Sequence, residues 1–166
     1  MGMAQIKRRP FVIVQDTREQ LPFRFSRDTP VISKALKYGD YSVYGMEWRV
    51  AVERKSFDDL FYSFTKTRLR MLVRLDELAQ LDAAALVIEC SIANVIAGHP
   101  RTVVVGSRLL GTILVECARR GVLALFCNGR RDAAMATEHF LRAYAAREST
   151  VVRGGVDWLA NRTAGA

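Results

Sequence analysis

The stretch at residues 39–59 constrains the fold most strongly, because its pattern changes from strand to turn, to strand and to helix within one short passage. Residues 41–44 alternate in the manner of a strand, and residues 45–47 supply a turn. Residues 48–55 predict a second strand, and Ser56 predicts the start of a helix. The stretch therefore predicts a hairpin that leads directly into a helix.

The second strand of this hairpin places different side chains on its two faces. Because side chains two residues apart share a face of a strand, Glu53 and Lys55 point the same way and Arg54 points the other. Val50 and Val52 lie on the face opposite Glu53 and are predicted to pack in the core. The strand thus carries a carboxylate and a lysine side by side at its end.

Asp40, just before the first strand of the hairpin, brings a second carboxylate to this strand end. Carboxylate oxygens suit Mg²⁺ or Mn²⁺, and Mg²⁺ commonly binds one or two protein carboxylates and keeps several waters. Lys55 would then lie where negative charge develops on a phosphate oxygen or on an attacking water. In the alternative interpretation, Glu53 and Lys55 form an ordinary ion pair on a surface hairpin. The residue types alone do not separate the two.

Acidic residues also follow the first predicted strand, a short apolar run at residues 11–14. Asp16 and Glu19 lie just beyond the carboxyl end of this strand, where Glu19 would add a further carboxylate and Arg18 would neutralise a phosphate. Alternatively, Asp16 is a turn residue and Arg18 pairs with a nearby acid.

Asp59, near the start of the helix that follows Ser56, has two possible roles. Ser56 and Asp59 resemble a capping box, and a carboxylate in the first turn suits the helix dipole, so Asp59 is either a cap, a site residue or both. The apolar residues of this helix recur at the spacing of a buried face, which predicts core packing rather than base stacking: Phe57, Leu60, Phe61 and Phe64.

A second helix is predicted to run to about Leu81 and carries three arginines that are candidates for phosphate contacts: Arg68, Arg70 and Arg74. A solvated helix face is the alternative. Further strands are predicted at residues 84–90 and 122–126, and further helices at 92–97, from 106 onward and at 132–147. A short helix is also predicted at residues 31–36.

Several of these residues together resemble the signature of the XPF-type structure-specific endonucleases. The matching strings are Asp16-Thr17-Arg18-Glu19, Gly39-Asp40, Glu53-Arg54-Lys55-x-x-x-Asp59, and Ser63 with Arg68-Leu69. The resemblance covers residues 11–145, nearly the whole chain. It implies an α/β fold of the restriction-endonuclease-like kind, with a mixed central sheet flanked by helices and a divalent-metal site.

The resemblance implies a catalytic site made of six residues: Asp16, Asp40, Glu53, Arg54, Lys55 and Asp59. Under this hypothesis Asp40 and Glu53 bind Mg²⁺ or Mn²⁺, and Asp16 completes the metal-binding set. Arg54, on the other face of its strand, would either pair with an acid behind the site or contact DNA, and the sequence leaves both open. Nucleic-acid contacts are predicted for Arg18, Arg68, Arg70 and Arg74.

The function that the resemblance implies is a metal-dependent DNA endonuclease that cuts branched, flap or fork DNA in repair or recombination. Family members commonly dimerise through the C-terminal part of the nuclease domain, so we expect a homodimer or heterodimer through the last strand and helix. Two alternatives stay open. One is a non-catalytic DNA-binding or scaffold subunit, and the other is a phosphodiesterase that acts on small or RNA substrates.

Length and charge agree with this interpretation. The 166 residues suit one nuclease domain at residues 1–147 and a tail or linker at residues 148–166, which is too short for the helix-hairpin-helix module that the family commonly carries. Lys and Arg number 25 against 17 Asp and Glu, and the net charge of +8 favours a polyanionic partner, nucleic acid before membrane.

The expected location is inside the cell. The three cysteines lack metal-ligand spacing and lie in apolar segments, as buried thiols in a reducing compartment do. We find no secretory signal and no apolar run of membrane-spanning length in the sequence. The sequence predicts a cytoplasmic or nucleoid-associated protein, or a nuclear one in a eukaryote.

Overall fold

The computed structural model describes the backbone of residues 10–163 and the side chains of residues 10–148. This part of the chain contains six strands: Ile13–Gln15 (β1), Val31–Ser33 (β2), Tyr41–Val43 (β3), Val50–Lys55 (β4), Ala83–Ile88 (β5) and Val122–Phe126 (β6). They form one sheet in the order β2-β1-β3-β4-β5-β6. Strand β3 pairs antiparallel with β1 and β4, and the other neighbours are parallel, so the sheet is mixed, as predicted.

Helices cover both faces of this sheet. They are Phe57–Thr65 (α1), Arg68–Leu78 (α2), Ile92–Ala97 (α3), Gly106–Ala118 (α4) and Arg130–Thr163 (α5). On one face, Ala51 and Leu86 belong to a core cluster with buried residues of α1, α2, α3 and α4. On the other face, Val52 and Val87 pack in a second cluster with Leu141 of α5. This arrangement confirms the predicted α/β fold.

The two clusters explain the alternation along β4. Val50 and Val52 are fully buried on the α5 side, whereas Ala51 is buried on the α1–α2 side. Glu53 follows two residues after Ala51 and therefore points toward α1 and α2. The predicted division of faces is confirmed, and β4 itself begins at Val50, two residues later than predicted.

The prediction of a helix at residues 31–36 is wrong. Residues Val31–Ser33 form strand β2, which pairs in parallel with β1. The N–H of Ile13 donates to the carbonyl of Pro30, and the N–H of Lys34 donates to that of Gln15, both at 3.0 Å. The free edge of β1 thus determines the conformation of this segment. The short apolar pattern at these residues does not indicate that β1 is available to pair with them.

The last helix also differs from its prediction. It was expected at residues 132–147, but α5 begins at Arg130 and runs to Thr163, so the predicted end at Arg147 is wrong. Side chains beyond residue 148 lie outside the described ones, and the division of the chain at residue 147 stays a prediction.

Among the described residues, no helix has both the length and the apolar character that a membrane crossing needs.

Candidate active site

Asp40 lies where three backbone segments meet. Its N–H donates to the carbonyl of Val52 on β4, and its carbonyl accepts from the N–H of Asp16 after β1, both at 2.8 Å. Gly39 precedes it with a φ of +66°, and a Cβ at that position would lie 2.8 Å from the Val52 carbonyl oxygen. Only glycine meets both conditions without strain, so Gly39 holds Asp40 close against β4.

The Asp40 carboxylate is coupled to a second carboxylate. Its Oδ2 accepts the backbone N–H of Arg54 at 2.7 Å. Burial raises the pKa of Asp40, the charge of Glu53 raises it further, and the pKa reaches about 7 although the Arg54 hydrogen bond and the Lys55 charge lower it. Two carboxylates that repel each other in this way attract either a proton or a cation.

Glu53 is the second member of this pair and is only 4% exposed. Its Oε1 accepts a hydrogen bond from Nζ of Lys55 at 2.7 Å, which shows that the two side chains share a face, as predicted. Its Oε2 is buried without a hydrogen-bond partner among the described residues, and Nε of Arg74 lies 3.6 Å away from it. This oxygen therefore has an ion-pair partner in Arg74 but accepts no hydrogen bond from the described residues, although buried acceptors normally accept one.

Asp16 lies at the same edge of the sheet but is already engaged. Its Oδ1 accepts from the backbone N–H and from Nε of Arg18, at 2.8 and 2.7 Å, and its Oδ2 accepts from Nη2 of Arg18 and from the N–H of Leu36. Burial opposes the charged form of Asp16, yet these hydrogen bonds and the Arg18 charge lower its pKa. Asp16 is therefore a charged residue that fixes the loop after β1.

Ser56 caps α1, and Asp59 in the first turn of the helix contacts that cap and also lines the site. The Oγ of Ser56 accepts the N–H of Asp59 at 3.2 Å and donates to Oδ2 of Asp59 at 2.7 Å. Ser56 thus forms its half of the predicted capping box, whereas Asp59 accepts from the Ser56 hydroxyl and not from the Ser56 backbone N–H. The Asp59 side chain is among those that line the cleft described below. The capping and site interpretations are compatible.

Arg54 points to the opposite face, as predicted, and pairs with acids there. Its Nε donates to Oε1 of Glu89 at 2.5 Å, and its Nη1 donates to Oε1 of Glu19 at 3.2 Å. The Arg54 side chain is only 9% exposed. The structure thus shows the pairing with acids that the sequence left open. Arg54 also lines the cleft described below, and its contact with DNA stays a prediction.

All of the predicted catalytic residues except Glu53, which is buried beside Lys55, line an open cleft of about 340 Å³ at the carboxyl end of β4. It is lined by Asp16, Arg18, Glu19, Gln20, Leu21, Asp40, Arg54, Lys55, Asp59 and Arg74. Two of the four arginines predicted to bind nucleic acid, Arg18 and Arg74, are thus brought to the cleft. Arg68 is not among the lining residues and pairs with Glu116 of α4 at 3.2 Å, and Arg70 is exposed on α2.

Two functional candidates escaped the sequence analysis, because their partners are far away in the chain. Glu89 follows β5 and accepts from both Arg54 and Arg130, the latter at 3.0 Å. Nη2 of Arg130, at the start of α5, also donates to the carbonyls of Leu21 and Pro22. Arg130 thereby ties the wall of the cleft to α5. The only sequence signal was an acidic residue near a predicted strand end.

The carboxylates at this end of β4 suit a divalent cation in part. Among the described residues, no three His, Cys, Asp or Glu side chains are grouped so that one ion could bind them all. The pair of Asp40 and Glu53 does supply hard oxygen donors, one of them buried and unsatisfied. Because Mg²⁺ commonly binds one or two protein carboxylates and keeps its waters, the pair fits such an ion. Asp16 stays a predicted third ligand.

The fold around this cleft is that of a known class of domain. The sequence model of the ERCC4 domain family matches residues 15–135, most of the chain, so the chain belongs to the ERCC4 domain family. The match includes every residue of the carboxylate pair and its neighbours. It confirms the resemblance to XPF-type nuclease domains that the motifs indicated.

Solved structures agree on the fold. XPF from Aeropyrum pernix superposes with a TM-score of 0.63 and 20% identity over 89% of this chain and 72% of that chain. XPF from Aeropyrum pernix in complex with DNA gives a TM-score of 0.62 and 21% identity over 83% of this chain and 66% of that chain. The comparison with curated proteins gives no match. At these identities the structures establish the fold alone.

Proposed function

We propose that this protein is a divalent-metal-dependent DNA endonuclease that hydrolyses phosphodiester bonds. The observation that carries the proposal is the buried, unsatisfied Oε2 of Glu53, next to an Asp40 whose pKa is raised to about 7. Such a pair is unfavourable by itself and is stabilised by a cation between its oxygens. Membership of the ERCC4 domain family supports the same reaction class.

In this proposal the carboxylates bind the metal ion and Lys55 stabilises the charge that develops on the phosphate. A bound Mg²⁺ or Mn²⁺ would polarise the scissile phosphodiester and lower the pKa of a water molecule. Asp40 and Glu53 would hold that ion, and Asp40 would lose its proton as the ion binds. Lys55, held by Glu53 at 2.7 Å, presents its ammonium group to the negative charge that develops on the phosphate.

The surrounding residues bind and position. Arg18 and Arg74 line the cleft and would neutralise phosphates on either side of the scissile bond. Arg54 holds Asp40 through its backbone N–H and holds Glu19 and Glu89 through its guanidinium group. Its role in this proposal is to position the carboxylates from behind the sheet.

The proposed substrate is branched, flap or fork DNA in repair or recombination. A net charge of +8 favours a polyanionic polymer, and the structural neighbour from Aeropyrum pernix was solved in complex with DNA. A location inside the cell completes the proposal, because Cys90, Cys117 and Cys127 are buried and unpaired.

The decisive experiment is cleavage of labelled fork, flap, duplex and single-stranded DNA with Mg²⁺, with Mn²⁺ and with chelator. We expect metal-dependent cleavage that Asp40→Asn and Glu53→Gln each abolish while circular dichroism stays unchanged. Asp28→Asn, which alters an exposed aspartate outside the cleft, is the matched control and should cut normally. Cleavage at the wild-type rate by both site variants would refute the assignment.

A non-catalytic DNA-binding or scaffold subunit is the second candidate. The observation that favours it is Asp16, whose two oxygens are both occupied by Arg18 and Leu36, in a cleft where the described residues form no three-ligand group. DNA binding without cleavage under every metal condition would establish this alternative.

We also propose that two chains associate through β6 and its neighbouring helices. Strand β6 is an edge of the sheet, and exposed apolar side chains surround it on α4, β6 and α5: Leu114, Val115, Leu123 and Met135. An unpaired edge beside a cluster of exposed apolar residues is typical of a surface that another chain covers.

A further inference from the structure

Two aromatic side chains with a lysine beside them lie outside the set of residues that lines the cleft. Tyr38, in the segment just before β3, packs against the core on one side and meets Trp48, at the tip of the β3–β4 hairpin, while Lys37 lies beside both rings. Trp48 is 67% exposed. Exposing so much aromatic surface is unfavourable in water, so the cluster is a candidate for ligand binding.

The rings and the lysine are arranged as a supported platform. The ring of Tyr38 meets that of Trp48 edge to face, with centroids 6.3 Å apart and an angle of 85° between the planes. Nζ of Lys37 lies 4.8 Å from the Tyr38 centroid and 5.7 Å from the Trp48 centroid. Tyr38 itself packs against the core cluster of α1, α2 and α4, so it anchors the exposed indole.

This platform is held at a fixed place relative to the cleft. Tyr38 is followed by Gly39 and Asp40, and successive Cα atoms are about 3.8 Å apart, so the Tyr38 backbone lies within about 8 Å of the catalytic aspartate. The hydrogen bond from the Asp40 N–H to the Val52 carbonyl, at 2.8 Å, fixes that short segment against β4. A strand bound at Asp40 therefore passes within a few nucleotides of Trp48.

The charge of the platform selects among ligands. Lys37 makes no ion pair with a carboxylate in the part of the chain that the structure describes, whereas the nearby Lys34 is neutralised by Glu47 at 2.7 Å. An exposed indole beside an uncompensated ammonium group matches a nucleotide, which offers a flat base and a phosphate together. A purely apolar partner would leave the Lys37 charge without a counterpart.

We propose that Trp48 and Lys37 bind an unpaired nucleotide of the DNA strand that is cut in the cleft. The base stacks on the indole of Trp48, and the ammonium group of Lys37 contacts the adjacent phosphate. This inference rests on the proposed function, because it takes the substrate strand as its ligand. It deepens that function by assigning a preference for junctions with unpaired nucleotides to a site outside the carboxylate pair.

The experiment measures tryptophan fluorescence during titration with single-stranded oligothymidine, in chelator so that no strand is cut. The chain has two tryptophans, and Trp158→Phe leaves Trp48 as the single reporter. We expect quenching at saturation. In anisotropy with the same labelled oligonucleotide, Trp48→Ala should weaken binding about 5- to 100-fold, and Trp48→Phe should restore most of it. Lys37→Ala should reduce the salt dependence of binding by about one counterion.

Tyr62→Ala, at an exposed aromatic residue of α1, is the matched control and should bind like the wild type. Saturable DNA binding that leaves Trp48 unquenched would overturn the proposal. A fluorescence change with anionic phospholipid vesicles but not with DNA would also overturn it, in favour of a membrane surface. Quenching without Mg²⁺-dependent cleavage would uphold the platform and reject the nuclease. Normal cleavage with no change in any Trp48 assay would uphold the nuclease and reject the platform.

Discussion

At the scale of single residues, folding of the metal-free protein favours protonated Asp40, whereas the proposed metal site needs Asp40 as a carboxylate. Burial first, and then the charge of Glu53, raise its pKa to about 7. Because this folded pKa lies above the ordinary aspartate value of 3.8, the folded protein binds the proton more tightly than the unfolded chain does. The resulting stabilisation is complete below about pH 4 and is lost as the pH rises through 7.

We therefore predict that Asp40→Asn stabilises the metal-free protein at pH 8. The amide is neutral at every pH, and the gain in the free energy of unfolding should be on the order of 1–2 kcal/mol, since the site is partly open to solvent. Thermal unfolding in chelator at pH 8 and at pH 4 measures it, and the difference between variant and wild type should shrink at pH 4. Equal melting temperatures at pH 8 would contradict the assigned pKa.

The pKa of Glu138 is shifted in the opposite direction to that of Asp40. Burial disfavours its charge, yet hydrogen bonds from the Ser26 N–H at 3.0 Å, from Thr29 and from Arg142 lower its pKa to about 2. Because the folded pKa is below the ordinary value of 4.5, its stabilisation is present above pH 4.5 and is lost as the pH falls toward 2.

Glu138→Gln should accordingly cost roughly 2–3 kcal/mol of unfolding free energy at pH 7. Denaturant unfolding at pH 7 and at pH 3 tests this, and the variant should lose less stability on acidification than the wild type. Asp28→Asn, at an exposed position between Ser26 and Thr29 in the chain, is the control. A variant as stable as the wild type at pH 7 would show that the hydrogen bonds to Ser26 and Thr29 contribute little.

At the scale of elements, the start of α5 is joined to the cleft. Arg130 bridges Glu89 and the carbonyls of Leu21 and Pro22, while its guanidinium group lies 5.2 Å from the Phe23 ring centroid. Leu21 lines the cleft, so a helix on the far face of the sheet determines the shape of the site. The loop between β1 and β2 is held on either side of this point, because Glu19 pairs with Arg54 and the Phe23 N–H donates to Oη of Tyr41 at 2.8 Å.

Arg130→Ala should loosen the loop at residues 20–22, whose Leu21 and Pro22 carbonyls it holds, without unfolding the domain. We expect faster hydrogen exchange at those residues and cleavage reduced about 10- to 100-fold, because small displacements of positioning groups have large effects on rate. Arg131→Ala is the matched control, since Arg131 is its exposed neighbour. Unchanged exchange in the Arg130 variant would remove the link between α5 and the cleft.

At the scale of the whole molecule, the proposed dimer gives the last prediction. Leu123→Glu places a charge at the centre of the exposed apolar surface around β6 and should raise the dimer dissociation constant at least about tenfold. Sedimentation velocity over a range of concentrations measures the change. Leu69→Glu, at an 81% exposed leucine of α2, is the control. A wild-type protein that is monomeric at high concentration would rule out the dimer.

Much of this architecture was predictable, since the signals were local. The hairpin and helix at residues 39–59 follow from alternation, a turn and a cap, and the structure contains them with shifts of one or two residues at most of their ends. Strand β2 was missed because Val31 and Ile32 are exposed, so its only cause is the free edge of β1. Likewise, the contact of Arg54 with Glu89 spans 35 residues of sequence and leaves no local pattern.

The sequence by itself determined the α/β class, the face that carries Glu53 and Lys55, and the acidic residues that we propose for the site. Those properties depend on the pleat of a strand and on side-chain chemistry, which short stretches specify. Only the tertiary structure decided that Asp16 is bound by Arg18 and Leu36, and that Glu53 keeps an unsatisfied oxygen. Both results depend on burial and on partners from distant segments, which arise only when the sheet and its helices pack together.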